Sequence, residues 1–123
     1  MENKISIKNN NLIILPQGLD KVWSLKNKLE IPMTNVMGAT IDKNILDVKK
    51  GFRGPGLEIP NKWSGTWTLN GEKIFWNVTR KETPVVIQLK NEKFSRLILG
   101  LDDAIEWVDE INNSINTKHY ELG

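Results

Sequence analysis

Residues able to do chemistry are few in this chain, and they are scattered. His119 is the only histidine and cysteine is absent, which excludes disulfides, thiolate nucleophiles and thiolate metal sites. A zinc site built on one imidazole needs a carboxylate-rich cluster, and no Asp or Glu spacing provides one. His119 lies in a polar C-terminal stretch, where nothing in the pattern would hold an imidazole as a general base must be held. The Gly-x-Ser-x-Gly elbow of a serine hydrolase is also missing. Asp102 and Asp103 could be read as paired carboxylates. They immediately precede an apolar run of helical period, however, where acidic groups satisfy free N–H groups and the helix dipole, and Asp103 with Glu106 has capping-box spacing.

The segment with most promise as a binding site is Gly51-Phe-Arg-Gly-Pro-Gly-Leu-Glu-Ile-Pro-Asn61. Glycines allow backbone N–H groups to approach an anion, and Lys49, Lys50 and Arg53 would provide positive charge. The spacing is neither a Walker motif nor a dinucleotide fingerprint, and no helix follows. A plainer reading is a rigid crossover whose Phe52 and Leu57 pack on the end of the fold, with its lysines in solvent. Three glycines and two prolines in this stretch predict a long loop.

Around that segment the pattern is one of short strands. Asn70-Gly71 predicts a two-residue type I′ turn. Counting outward pairs Leu69 with Glu72, Trp67 with Ile74, Gly65 with Trp76 and Trp63 with Val78. One face then carries three of the five tryptophans, which reads as core packing ahead of a stacking platform for sugars or bases. The other face, Thr and Lys with Phe75, reads as half solvated. Strands are also expected over Lys4–Lys8, Asn11–Leu15, Val22–Lys26, Leu29–Ile31, Gly38–Asp42, Val85–Leu89 and Phe94–Leu101, with a short helix within Asn44–Lys49. Past Asp103, the residues Ala104, Ile105, Val108, Ile111 and Ile115 make one apolar stripe, bordered by Trp107. The expected fold is mainly β: a partly open antiparallel barrel or sandwich of six or seven strands with one C-terminal α-helix. It forms a single domain over residues 1–116, followed by a flexible tail over 117–123.

Length and composition agree with one globular domain. The 123 residues are 39% apolar and 26% charged, with a formal charge of +2, too small and too interspersed to imply nucleic acid. No apolar run approaches the roughly 20 residues of a membrane span. The first residues lack the apolar core of a secretion signal, so the expected location is cytoplasmic.

Several segments resemble a bacterial family of pleckstrin homology-like domains: Leu12-Ile-Ile-Leu-Pro16 with Gly18-Leu19, Ile31-Pro32 with Val36, Gly51-Phe-Arg-Gly-Pro-Gly56, Ile59-Pro60, Gly65-Thr-Trp67, Phe75-Trp76, Val86-Ile-Gln-Leu89 and Phe94-Ser-Arg-Leu97. The resemblance implies a non-enzymatic binding or assembly scaffold with no cofactor. Its partner would be a protein, a peptide or a second copy, met through exposed strand edges. Lipid-binding members of that superfold cluster Lys and Arg after the first strand. Here the equivalent loop is Lys8-Asn9-Asn10-Asn11, with one cation, so phosphoinositide binding is not supported. The alternative is a small anionic ligand or lipid headgroup held by Lys49, Lys50 and Arg53 in the segment 49–61.

Overall fold

Asn70 and Gly71 both take positive φ, 54° and 81°, as a type I′ turn demands. The strands beside them pair in the register counted from that turn, from Leu69 with Glu72 out to Lys62 with Thr79. The computed structural model describes residues 3–17 and 28–122, the side chains of 55–57 and 116–122 excepted. The strand expected over Val22–Lys26, with Trp23, lies outside the described residues.

Three strands, β1 (Asn3–Lys8), β2 (Asn11–Pro16) and β3 (Leu29–Pro32), form one antiparallel sheet in that order. The β1–β2 turn is Asn9-Asn10, both residues at positive φ. Six more strands form the second sheet: β4 (Val36–Ile41), β5 (Phe52–Ile59), β6 (Lys62–Leu69), β7 (Glu72–Thr79), β8 (Thr83–Leu89) and β9 (Arg96–Leu101). Their spatial order is β4-β8-β9-β7-β6-β5. Short 3₁₀ segments occupy Met33–Asn35 and Lys43–Asp47, and helix α1 runs from Ala104 to Leu122. The fold is thus mainly β, an open sandwich of two sheets with one C-terminal helix. The helix continues over residues 117–122, where composition alone suggests a tail.

Three features depart from the expected topology. The described strands number nine rather than six or seven, in part because the segment expected to be a loop is strand β5. Its pairing with β6 shifts register between Arg53 and Gly56; Pro55 sits in that bulge on an edge strand, one of the few places in a sheet that tolerates a missing N–H. The sheet is also not wholly antiparallel, since β7 pairs with β9 in parallel. Chain order takes β7 directly to β8, with β9 inserted between them, so the connection at 80–82 has to pass β9. It does so at Gly100, where any Cβ would overlap the Glu82 side chain.

The central strands of the six-stranded sheet are buried on both faces. On one, Phe75, Val85, Ile87, Leu97, Leu99 and Leu101 meet Leu12, Ile14 and Ile31 of the smaller sheet and Ala104 and Ile111 of α1. On the other, Trp63, Trp67, Ile74, Trp76, Val78, Val86 and Ile98 pack with Ile45 and Leu46 of the second 3₁₀ segment. The tryptophan face is core, as the hairpin register implies. The Thr and Phe face is not half solvated along its length: Phe75, Ser64 and Asn77 are fully buried, because the three-stranded sheet covers that end. There Ser64 Oγ donates to Asn77 Oδ1 (2.9 Å), Asn77 Nδ2 donates to Asn3 Oδ1 (2.7 Å), and Asn3 Nδ2 donates to the Asn77 and Gly100 carbonyls (3.0 and 3.2 Å). These bonds tie β1 to the larger sheet. On α1 the buried stripe is Ala104, Ile111 and the half-buried Trp107, Val108 and Ile115. Ile105 is 66% exposed instead, since it lies about 100° around the helix from Ala104.

Candidate functional site

An open sheet leaves two edges, and β4 and β5 are the edges of the larger one. Edge strands present unpaired N–H and C=O groups and are ready templates for another strand. The two edges here are finished differently. Helix α1 lies along β4, and Asn112 turns its side-chain amide onto the strand: the Ala39 N–H donates to Asn112 Oδ1 and Asn112 Nδ2 donates to the Ala39 carbonyl, both at 2.9 Å. A primary amide carries the same donor and acceptor pair as a peptide group, so Asn112 stands in for one residue of a neighbouring strand. The β4 edge is sealed at its midpoint.

The β5 edge has no such cover among the described residues. Gly51 leads into it with φ 91°, and a Cβ there would overlap the Thr68 carbonyl, so the approach to β6 demands glycine. Pro60 and Asn61 close the β5–β6 hairpin, with Asn61 at φ 68°. The Arg80 N–H donates to the Asn61 carbonyl (2.9 Å) and Arg80 Nε to Asn61 Oδ1 (3.0 Å). Phe52 is 85% exposed and Ile59 48% exposed. The expectation that Phe52 packs on the end of the fold is overturned: it lies opposite Thr68 and belongs to neither apolar cluster.

Register fixes which β5 backbone groups face outward. Ile59 and Lys62 close a two-residue turn, so they form a hydrogen-bonded pair, and the alternation of an antiparallel ladder turns the Glu58 groups out. Counting from the other hairpin, Leu69 and Glu72 form its closing pair. Thr68 therefore bonds towards β5, Phe52 bonds back to it, and the Arg53 groups face out. The bulge between Arg53 and Gly56 reconciles the two counts. Arg53 and Glu58 also lie opposite Trp67 and Trp63, on one face, while Phe52 and Ile59 lie opposite Thr68 and Lys62, on the other.

The three cations expected to form an anion site have separate places. Lys50 points inward, with Nζ 4.4 Å from the Trp63 ring centroid and 4.7 Å from that of Trp76. It donates to the Leu46 carbonyl (2.7 Å) and the Val48 carbonyl (3.4 Å). Burial pushes the Lys50 ammonium below the usual lysine range, while Glu58 and Asp47 act in the opposite sense. Arg80 completes this corner, its guanidinium 5.4 Å from the Trp63 centroid and in an ion pair with Asp47 (3.1 Å). Lys49 and Arg53 are exposed and form no ion pair among the described residues. The structure thus brings Lys50 to the tryptophans and leaves Lys49 and Arg53 on the surface beside the open edge.

Surface depressions lined by described residues include three that lie away from β5. The largest, about 420 Å³, lies between the β6–β7 turn and the β8–β9 connection at Gly71–Lys73 and Asn91–Ser95. A second, about 270 Å³, adjoins it at Met37, Gln88 and Arg96, and the third lies at the start of α1. Lys49, Lys50 and Arg53 line none of the three. Among the described residues no group of three His, Asp or Glu side chains could hold a metal ion, and no helix is long and apolar enough to cross a membrane. His119 lies outside the described side chains. Compared with protein-family models, curated proteins and solved structures, the chain matches none.

Two features of these edges are not legible in the sequence. Asn112 sits beside the apolar stripe of α1, and nothing in a helical pattern says which strand its amide will meet. The outward phase of Arg53 and Glu58 depends on a bulge that glycine and proline content marks only as irregular.

Proposed function

We propose that the chain is a non-enzymatic binding or assembly module whose docking element is the outer edge of β5, which accepts an extended segment as an added strand. One observation carries this reading: of the two edges of the larger sheet, β4 is capped by the Asn112 amide, whereas β5 presents outward backbone groups at Arg53 and Glu58 beside the exposed Phe52 and Ile59. Main-chain pairing would supply affinity, and the alternate side chains specificity. The buried Asn3, Ser64 and Asn77 bond to one another and to backbone, which suits a structural role for these three. The pleckstrin homology-like resemblance of the sequence supports the same reading, as a scaffold for partners.

Selection of extended peptides from a random library on the immobilised protein tests it. Selected peptides are expected to slow amide exchange at Arg53 and Glu58 and to leave Ala39 unchanged. Peptides that protect the β6–β7 turn and the residues around Ser95 instead would overturn the reading. A thermal shift with inorganic phosphate that is lost in Arg53→Ala would replace it with the anion-binding alternative at Lys49 and Arg53.

A further inference from the structure

The edge of β5 is complementary to itself. Arg53 and Glu58 are five positions apart, and on a regular strand such residues point their side chains to opposite faces and their backbone groups to opposite neighbours. The bulge between Arg53 and Gly56 removes that mismatch. Both side chains come to the face of Trp63 and Trp67, and both sets of backbone groups turn outward.

We infer that the strand accepted at this edge is β5 of a second copy of the chain, antiparallel across a twofold axis near Pro55 and Gly56, with Arg53 opposite Glu58 of the partner copy. The inference rests on the reading of β5 as the docking edge. A twofold interface is isologous, so every pairing occurs twice. In this register two Arg–Glu pairs form on one face, and on the other Phe52 meets Ile59 of the second copy twice. Opposite charges and apolar pairs directly across an antiparallel ladder are both favourable. Other registers forfeit this match: a shift of two residues sets Arg53 opposite Gly56 or Pro60 of the second copy. Pro55, which has no N–H to give, falls at the centre, within the bulge, where the paired flanks require no ladder bond from it. A proline and a bulge on an edge discourage indiscriminate strand addition. Here they leave a segment that pairs in one register. The interface is one strand wide, which fits a weak, reversible dimer rather than an obligate one.

Sedimentation equilibrium of the full chain over a wide concentration range tests this, with Arg53→Glu, Glu58→Arg and the double variant R53E/E58R. Both positions are exposed, so the variants should fold, Arg53→Glu melting as the parent does and the variants that carry Glu58→Arg somewhat lower, because Glu58 favours the charged Lys50 beside it; association is therefore compared well below each melting temperature. Wild type is expected to dimerise. Each single variant should weaken association by about tenfold or more, because like charges then face each other twice, and the double variant should restore it to within a few fold. A monomer at every concentration overturns the inference, as does a dimer indifferent to the single variants or not rescued by the double. The peptide selection separates the two levels. A monomeric protein whose selected peptides protect Arg53 and Glu58 loses only the second copy as occupant, whereas a dimer in which those amides exchange freely removes β5 as the docking edge altogether.

Discussion

The two edges of the six-stranded sheet solve one problem in opposite ways. Both β4 and β5 end the sheet and leave backbone groups without a neighbouring strand. At β4 the helix that covers the core also supplies one side-chain amide, and two bonds to Ala39 close the edge. At β5 the local devices are a bulge, a proline and charged side chains, which restrict what can pair without covering the strand. A covered edge is a finished surface. A restricted edge selects its partner, and on the proposed reading that difference puts docking at β5 rather than β4.

The largest effect should come from unsealing the covered edge. Asn112→Leu removes both bonds to Ala39 from a half-buried site and leaves an N–H and a C=O unpaired, at about 1–3 kcal/mol each where water cannot replace the amide. The better helix propensity of leucine returns about 0.5 kcal/mol, so a net loss of about 2 kcal/mol is expected in urea unfolding. The variant should also associate more strongly than wild type, and the added association, through β4, should persist in the presence of Arg53→Glu. A loss below about 0.5 kcal/mol would mean that the amide is dispensable, as for an ordinary surface residue. The contrast between the edges would then collapse.

How far the sequence disclosed this arrangement depends on the range of the interaction. The β6–β7 hairpin is legible to the residue because Asn70-Gly71 sets the register locally, and alternation then assigns Trp63, Trp67 and Trp76 to one face. The stripe of α1 is legible for the same reason, apart from Ile105, which the pattern includes and the packing excludes. What was lost is non-local. The insertion of β9 between β7 and β8 depends on Gly100 meeting Glu82, eighteen positions earlier in the chain. The burial of Phe75 depends on a second sheet made from the N-terminal strands. The strand character of Phe52–Ile59 was masked by its own glycines and prolines, which suit an edge with a bulge as well as they suit a loop. Of the candidate site, the glycines and cations mark the segment, while the separate placement of Lys49, Lys50 and Arg53 was invisible, since it follows from where Trp63 and Trp76 lie.

Lys50 sharpens the comparison from the other side of β5. Its ammonium closes the tryptophan cluster from the segment that leads into the strand, held by two ring faces and two carbonyls. Lys50→Met keeps most of the aliphatic stem and removes the charge, and cation–π contacts at half-buried sites are worth about 1 kcal/mol. A loss of about that size is expected, with a changed tryptophan emission as the environment of Trp63 and Trp76 alters. Thermal unfolding and fluorescence check both. Self-association should be unaffected, because Lys50 faces the core and not the outer edge. A variant as stable as wild type but unable to associate would place Lys50 in the docking surface and return it to the company of Lys49 and Arg53.

The smallest effect on folding should accompany one of the clearest effects on assembly. Phe52 is 85% exposed, so Phe52→Ser takes little apolar surface out of the folded core, and its cost to stability should stay within about 0.5 kcal/mol, as for most surface positions. If β5 pairs with β5 of a second copy, the same side chain meets Ile59 twice, and its loss should weaken the dimer several fold. Ile59→Ser should do the same, and the two together should cost little more than either alone, since each removes one partner of the same pair. Unfolding and sedimentation on the same samples separate the possibilities. A destabilisation well above 1 kcal/mol would show Phe52 packed in the monomer, and an unaltered dimer would show that its exposure serves no contact. An unaltered dimer would strike the pairing of Phe52 with Ile59 from the interface, whereas the destabilisation would make β5 an edge like β4, covered in its own way, and the docking surface would have to be sought at the depression between the β6–β7 turn and Ser95.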